Sequence, residues 1–348
     1  MTQTRGCWRA SGEFRSAQEN RHLVARPPEN VQRLFVQRGI GLNPAIRASG
    51  LSKRYGEVLA VDDLSLEIAS GEFFGLLGPN GSGKTTTIHM LATLIRPTTG
   101  SAEVAGFDTG RNAVRAREAI GIVFQESALD RTLTVAENLR FAGLLQNMPA
   151  KMITERSGEL LDLFGLQEHR TKPVATLSGG MRRALDIVRG VLHQPKVLFL
   201  DEPTIGLDLP NRRRIWRFIE KLRAHTAMTV LLTTHYLEEA DSCDRVSFIR
   251  KGRLVESGTP GAMVEELGKH ILEVESSTIE SVVARLEPKV GPCLRDGDIA
   301  MFRWAKEDVS ELALLQAELA ADVGSWKVRR PNLNDVFLWV AGGKALKS

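Results

Sequence analysis

From about Ala45 onward, short apolar runs alternate with stretches whose apolar positions recur at helical spacing. The runs are Val58–Val61, Leu64–Ile68, Phe73–Leu77, Ile120–Phe124, Val197–Leu200, Thr229–Thr233 and Val246–Ile249. The helical stretches fall near 85–95, 134–146, 155–165, 180–193 and 211–224. Buried strands separated by helices predict an α/β domain built on a largely parallel sheet. Gly258-Thr259-Pro260-Gly261 marks its exit, with a short helix expected to about Gly268.

The rhythm then changes. Residues 269–343 read as strand (His270–Glu275), helix (Ile279–Leu286), two strands (about Val290–Leu294 and Ile299–Trp304), helix (Val309–Ala321), strand (Trp326–Arg329) and a last helix. The order β-α-β-β-α-β predicts a small ferredoxin-like α+β domain. Three regions follow: an extension over 1–44, an α/β domain over 45–268 with a helical part about 126–190, and the domain over 269–343. No segment repeats another at domain scale, and no long heptad run intervenes.

Composition narrows the class without changing this picture. The chain is 43% hydrophobic and 25% charged, as expected of a globular protein with a sizeable core. It holds no run of 18 apolar residues, so no transmembrane helix is expected. Cys7, Cys243 and Cys293 lie far apart, which predicts neither a disulfide partner nor a metal site. The net charge of +4 is unevenly placed. Eight arginines and three glutamates in residues 1–47 give 8 − 3 = +5, leaving −1 for the rest, so a nucleic-acid footprint on the body is not expected. The extension contains Pro27-Pro28 and lacks the apolar core of a secretory signal. It is expected to be a poorly ordered tail or an over-extended translation start.

Candidate chemistry begins where the Phe73–Leu77 run ends. Gly78-Pro79-Asn80-Gly81-Ser82-Gly83-Lys84-Thr85, followed by Thr86, sits between a strand and a helix, which is the context a P-loop requires. Its glycines let backbone N–H groups turn around an oxyanion at a helix N-terminus. Lys84 is placed to reach the β- and γ-phosphates, and the Thr85 hydroxyl to coordinate Mg²⁺. The run Val197–Leu200 ends in Asp201-Glu202. Asp201 is a candidate Mg²⁺ ligand through water, and Glu202 a candidate to orient and polarise an attacking water. A third feature is Leu177-Ser178-Gly179-Gly180, where two glycines open a helix with a basic first turn. It is either a plain loop-to-helix joint or a bare backbone for something negative to approach.

The ordered set of P-loop, "LSGG" about a hundred residues later and "LDEP" some twenty residues beyond resembles the nucleotide-binding subunit of an ABC transporter. The resemblance covers about 47–265. It implies that Tyr55 stacks on adenine and that Gln125 senses Mg²⁺ and the γ-phosphate. It further implies that Asp208, in Gly206-Leu207-Asp208, crosses the dimer and that His235 contacts the γ-phosphate. Taken singly, Tyr55 could be a surface aromatic, Gln125 a sheet-end polar residue, His235 or Asp208 a helix cap, and Arg212–Arg214 a solvated helix face. Trp304, Trp326 and Trp339 read as packing residues. "PNLNDVF" at 331–337 and "LSGGMRRALDIVRGVL" most resemble the daunorubicin/doxorubicin-resistance type of exporter ATPase.

With one cassette per chain, the resemblance implies a homodimer, or a paired cassette, that closes around two ATP molecules with Mg²⁺. Ser178, Gly179 and Gly180 of one copy would meet the γ-phosphate held by the other. It also implies a separate transmembrane permease subunit, received near Glu126–Leu129, and residence at the cytoplasmic face of the inner membrane. A non-transport ABC ATPase acting on nucleic acid or the ribosome is the competing reading; two cassettes or a long coiled-coil insertion would mark it. Met181 departs from the family's usual Gln and cannot donate a hydrogen bond through its side chain.

Overall fold

The computed structural model describes residues 24–25 and 41–340. The extension expected over 1–44 therefore lies outside the described residues except for Val24–Ala25 and the stretch from Gly41, as does Cys7. The chain divides into two compact units, one ending at Thr259 and one running on from Pro260.

The first unit opens with strands β1 (Val24–Ala25), β2 (Gly41–Tyr55), β3 (Val58–Ser70) and β4 (Phe73–Leu77). Helix α1 (Lys84–Leu91), β5 (Thr99–Val104), β6 (Phe107–Asp108), α2 (Ala113–Glu118) and β7 (Ile120–Val123) follow. Three helices, α3 (Val135–Leu145), α4 (Ala150–Leu163) and α5 (Gly179–Val191), form the helical part. The unit closes with β8 (Val197–Asp201), α6 (Leu209–His225), β9 (Thr229–Thr234), β10 (Arg245–Arg250) and β11 (Arg253–Gly258).

The strands make two sheets. The core sheet has the order β11-β10-β4-β9-β8-β7. All its pairs are parallel except β10 with β11 at the edge. Every residue of β4, β8 and β9 is buried, which is why these strands read as continuous apolar runs. Inside this layer the Arg245 and Glu72 side chains, both fully buried, pair at 2.8 Å.

The second sheet, β1-β3-β2-β5-β6, corrects the sequence reading. Val58–Val61 and Leu64–Ile68 are not strands of the parallel core but parts of one strand that pairs antiparallel with β2. The physical signal was alternation: buried Leu64, Leu66 and Ile68 are interleaved with Ser65 and Glu67, the mark of a strand with one covered face. A register shift between Ala48 and Leu51 and the positive φ of Asp63 (51°) divide the pattern into two apparent runs. Helix α1 also stops earlier than the periodicity predicts, because Thr93 turns into the left-handed region (φ 64°).

The second unit contains α7 (Pro260–Glu265), β12 (His270–Glu275), α8 (Ile279–Val290), β13 (Cys293–Asp296), β14 (Ile299–Trp304), α9 (Ser310–Leu319), β15 (Ser325–Arg329) and α10 (Leu333–Val340). Its sheet, β13-β14-β12-β15, is antiparallel throughout, so the expected β-α-β-β-α-β order is realised. Val290 is not the start of a strand. Helix α8 runs through it, and Gly291 (φ 106°) then ends the helix. Leu272, Val274, Leu286, Phe302 and Trp304 form a separate core against which Trp326 packs. Among the described residues no helix is long and apolar enough to cross a membrane. Cys243 and Cys293 are free and buried.

Candidate active site

In the core sheet β4, β8 and β9 are neighbours running in one direction. Their carboxyl ends therefore deliver the loop from Gly78, the pair Asp201-Glu202 and the Thr234-His235 step to one edge, where α/β sheets bind ligands. Gly78 lies against β10, where a Cβ would stand 2.3 Å from the Ile249 carbonyl oxygen. Gly83 carries φ 109° and its Cβ would meet the Ala60 carbonyl at 2.6 Å. Gly81, at φ 74°, faces open space instead. The loop is thus clamped from behind by main chain and bare on its outer side.

Within this cradle the Lys84 ammonium donates to the carbonyls of Gly78 (2.8 Å) and Pro79 (3.1 Å) and stands 3.6 Å from Glu202 Oε1. Burial pushes its pKa below the ordinary lysine value, while the Glu202 and Asp201 carboxylates resist the shift. Ser82 Oγ is buried without a hydrogen-bond partner. An orphaned donor beside a buried cation and a ring of backbone amides fits a phosphate chain. Thr85 Oγ1 donates to Asp201 Oδ1 at 3.2 Å, and the Thr233 hydroxyl donates to the same oxygen at 2.5 Å. This hard-oxygen cluster fits Mg²⁺, which takes one or two protein oxygens beside phosphates. Asn80 lies in the loop ahead of Gly81, and Thr86 in the first turn of α1.

Glu202 is the centre of the arrangement. Its amide donates to Thr233 O (3.0 Å) and Thr233 Oγ1 (3.2 Å), and its φ is 46°, a left-handed value rare outside glycine. One carboxylate oxygen faces Lys84, and the other lies 3.2 Å from His235 Nδ1. That approach is not aligned as a hydrogen bond, for Nδ1 has no hydrogen-bond partner. The His235 ring stacks on Tyr236, with ring centres 4.1 Å apart, and Arg212 covers the other ring at 4.0 Å. Arg212 is therefore not on a solvated helix face. Arg214 likewise donates to the Phe164 carbonyl at 3.3 Å.

The remaining sequence candidates make no hydrogen bond within this cluster. Tyr55 is half exposed at the end of β2, with Lys53 Nζ 5.2 Å from its ring centre. Gln125 follows β7 as an exposed residue. Ser178 caps α5 by accepting from the Met181 amide at 3.2 Å, and Asp208 caps α6 by accepting from Asn211 at 3.0 Å. Ser178 and Gly179 are exposed, and none of residues 178–180 hydrogen-bonds to the loop 78–85. Gly180 has a local reason: a Cβ there would fall 2.4 Å from Asn211 Oδ1.

Sequence reasoning missed Arg183. Buried on α5, its guanidinium donates to the carbonyls of Phe124 (2.5 Å), Asp201 (3.3 Å), Glu202 (3.0 Å) and Pro203. Its place in a basic first turn gave no hint, since Arg182 beside it looks the same in sequence.

A P-loop, a strand-end carboxylate pair and a strand-end histidine at one sheet edge define a nucleoside-triphosphate hydrolase of the P-loop class. The profile of the ABC transporter family matches residues 61–205. The chain is 40% identical to Nod factor export ATP-binding protein I of Ralstonia nicotianae, over 87% of this chain and 96% of that one. It is 39% identical to the daunorubicin/doxorubicin resistance ATP-binding protein of Streptomyces peucetius, over 86% and 93%. Among solved structures, a dimeric ATP-binding cassette in a post-hydrolysis state bound to ADP and Pi matches with a TM-score of 0.57. It is 26% identical and covers 62% of this chain and 98% of that one. The chain belongs to the ABC transporter family of ATP-binding proteins, and it is an ATPase.

Proposed function

We propose that this chain is the ATPase subunit of an exporter. In this reading it pairs head to tail around two ATP molecules and drives a separate membrane subunit from the cytoplasmic face of the inner membrane. The observation that carries the catalytic part is the Glu202 carboxylate held between Lys84 and His235 at the mouth of the P-loop. Lys84 balances phosphate charge. Glu202 orients the attacking water and accepts its proton, and His235, stacked on Tyr236 beside that carboxylate, keeps an unpartnered Nδ1 and contacts the γ-phosphate. Thr85 and Asp201, with Gln125 from the end of β7, would hold Mg²⁺. Bound there, the ion neutralises charge on the phosphates. Tyr55 offers an exposed ring at the end of β2 for the adenine.

The exposed cap Ser178-Gly179 supports the pairing: a helix N-terminus with unfilled donors faces outward and makes no hydrogen bond to its own P-loop. The dimeric cassette structure supports it too. Docking of a membrane subunit is supported by a groove of about 380 Å³ between β7 and α3. Phe124, Ala128, Phe141 and Leu145 line it, and Phe141 and Leu145 are 59% and 67% exposed. A helix of the partner carrying apolar residues is its expected occupant. The relatives named for Nod factor export and daunorubicin resistance support export as the direction.

Glu202→Gln is expected to retain ATP and accumulate as a dimer in size-exclusion chromatography. A variant that stays monomeric at saturating ATP rules out the sandwich. Lys84→Ala should abolish turnover, and undiminished hydrolysis would remove this loop as the active site.

A further inference from the structure

Arg183 is 7% exposed, and among the described residues no carboxylate pairs with it directly; burial lowers its pKa while the Asp186 and Asp201 charges partly offset that from a distance. All of its hydrogen bonds go to backbone carbonyls. Taking a cation out of water is costly, and an apolar side chain of similar volume would fill the space more cheaply. What an apolar residue cannot do is hold four main-chain oxygens at once with a rigid planar fork.

Those oxygens belong to two places. Three are consecutive, on Asp201, Glu202 and Pro203, and flank the strained backbone of Glu202 at φ 46°. A left-handed non-glycine residue costs on the order of 1–3 kcal/mol and persists only where its surroundings over-determine it. Here Thr233 holds the Glu202 amide from one side and Arg183 holds the carbonyls from the other. The fourth oxygen is that of Phe124, the residue before Gln125. The same face of α5 continues the grip on that segment. Asp186 accepts from the Ala128 amide at 3.3 Å, and Arg189 donates to the Ala128 carbonyl at 3.1 Å.

We propose that Arg183 is a positioning residue that ties the strand end carrying Gln125 to the loop holding Glu202, so that one side chain on the LSGG helix aims the Glu202 carboxylate. The inference rests on the catalytic reading of Glu202 given above. Displacement of the segment 124–128, where the docking groove lies, would pass through this guanidinium to the hydrolytic carboxylate. Of these three side chains, Asp186 and Arg189 hold the segment and Arg183 joins it to the Glu202 loop.

The test is Arg183→Lys in the full chain, with Arg183→Gln as a second variant. Lysine keeps the charge but lacks the fork. The expected result is a fall in kcat of about 10²-fold, the scale of a small misplacement of a reacting group. Binding of a fluorescent ATP analogue should be unchanged. In a Glu202→Gln background, where the aimed carboxylate is already gone, Arg183→Lys should produce no further fall in single-turnover rate. An unchanged kcat in either folded variant overturns the proposal. So does a loss of the same factor in the Glu202→Gln background as in the native chain, or a fall in kcat matched by an equal loss of nucleotide binding. Full turnover in Glu202→Gln alone would instead overturn the catalytic reading, so the two failures are distinguishable.

Discussion

At Gly180 the LSGG motif answers to sterics within its own chain as well as to any ligand. A Cβ there would stand 2.4 Å from Asn211 Oδ1 and 2.6 Å from its Cγ. Gly180→Ala should therefore push the Asn211 side chain off its present rotamer and lower stability by about 0.5–1.5 kcal/mol. The denaturation midpoint reads it, and Asn211→Ala in the same chain should recover most of the loss. A cycle in which the two changes simply add would show that the contact is not the cause. Gly81 makes the contrast, since its added Cβ meets open space and only its positive φ resists substitution. Lys84, Asp201 and Glu202 are legible from the P-loop pattern and from the carboxylate pair that ends a buried apolar run, and His235 only through the family resemblance. Arg183 and Arg212 are not legible, because their roles come from the carbonyls and the ring that the fold brings beside them.

Elements show the same division. Strands β4, β8 and β9 announce themselves because burial on both faces leaves them apolar except at their ends, where Asp201, Thr229, Thr233 and Thr234 stand. The antiparallel sheet was obscured because bulges in β2 interrupt the pairing, and β5 keeps only two fully buried residues among exposed ones. The helices of the helical part owe their ends to local chemistry. Thr134 and Glu137 form a reciprocal capping box at the start of α3. Thr134→Ala should lower stability by about 1 kcal/mol, measured by urea titration. A larger test lies between β10 and the turn before β4. Arg245→Met would leave Glu72 buried without its cation, at a cost of about 3–5 kcal/mol. Burial holds the Glu72 carboxyl above the usual glutamate range even with Arg245 beside it. A raised acid stabilises the fold below its unfolded pKa, and that contribution fades as pH rises through the folded value. The Arg245→Met deficit should therefore be smallest in acid and grow toward neutral pH; a deficit that shrinks with rising pH would contradict the assignment.

For the whole molecule, the division at Thr259–Pro260 separates nucleotide chemistry from the terminal "PNLNDVF" motif. Every candidate site residue, from Tyr55 to His235, belongs to the first unit. In the second, Asp335 is almost fully buried and accepts two bonds from the Arg329 guanidinium, both at 2.7 Å, and a third from the Asn332 amide at 2.9 Å. The motif thus ties β15 to the start of α10. Asp335→Ala removes this acceptor while the partly exposed Arg329 turns to water, so the loss should be about 1.5–3 kcal/mol, the scale of hydrogen bonds to a charged group. In a calorimetric scan the unit from Pro260 should unfold at lower temperature, whereas ATP binding by the first unit should keep its affinity and stoichiometry. Weakened ATP binding by a folded Asp335→Ala chain would mean that the tail motif acts on the nucleotide site, and the separation of roles between the two units would fall.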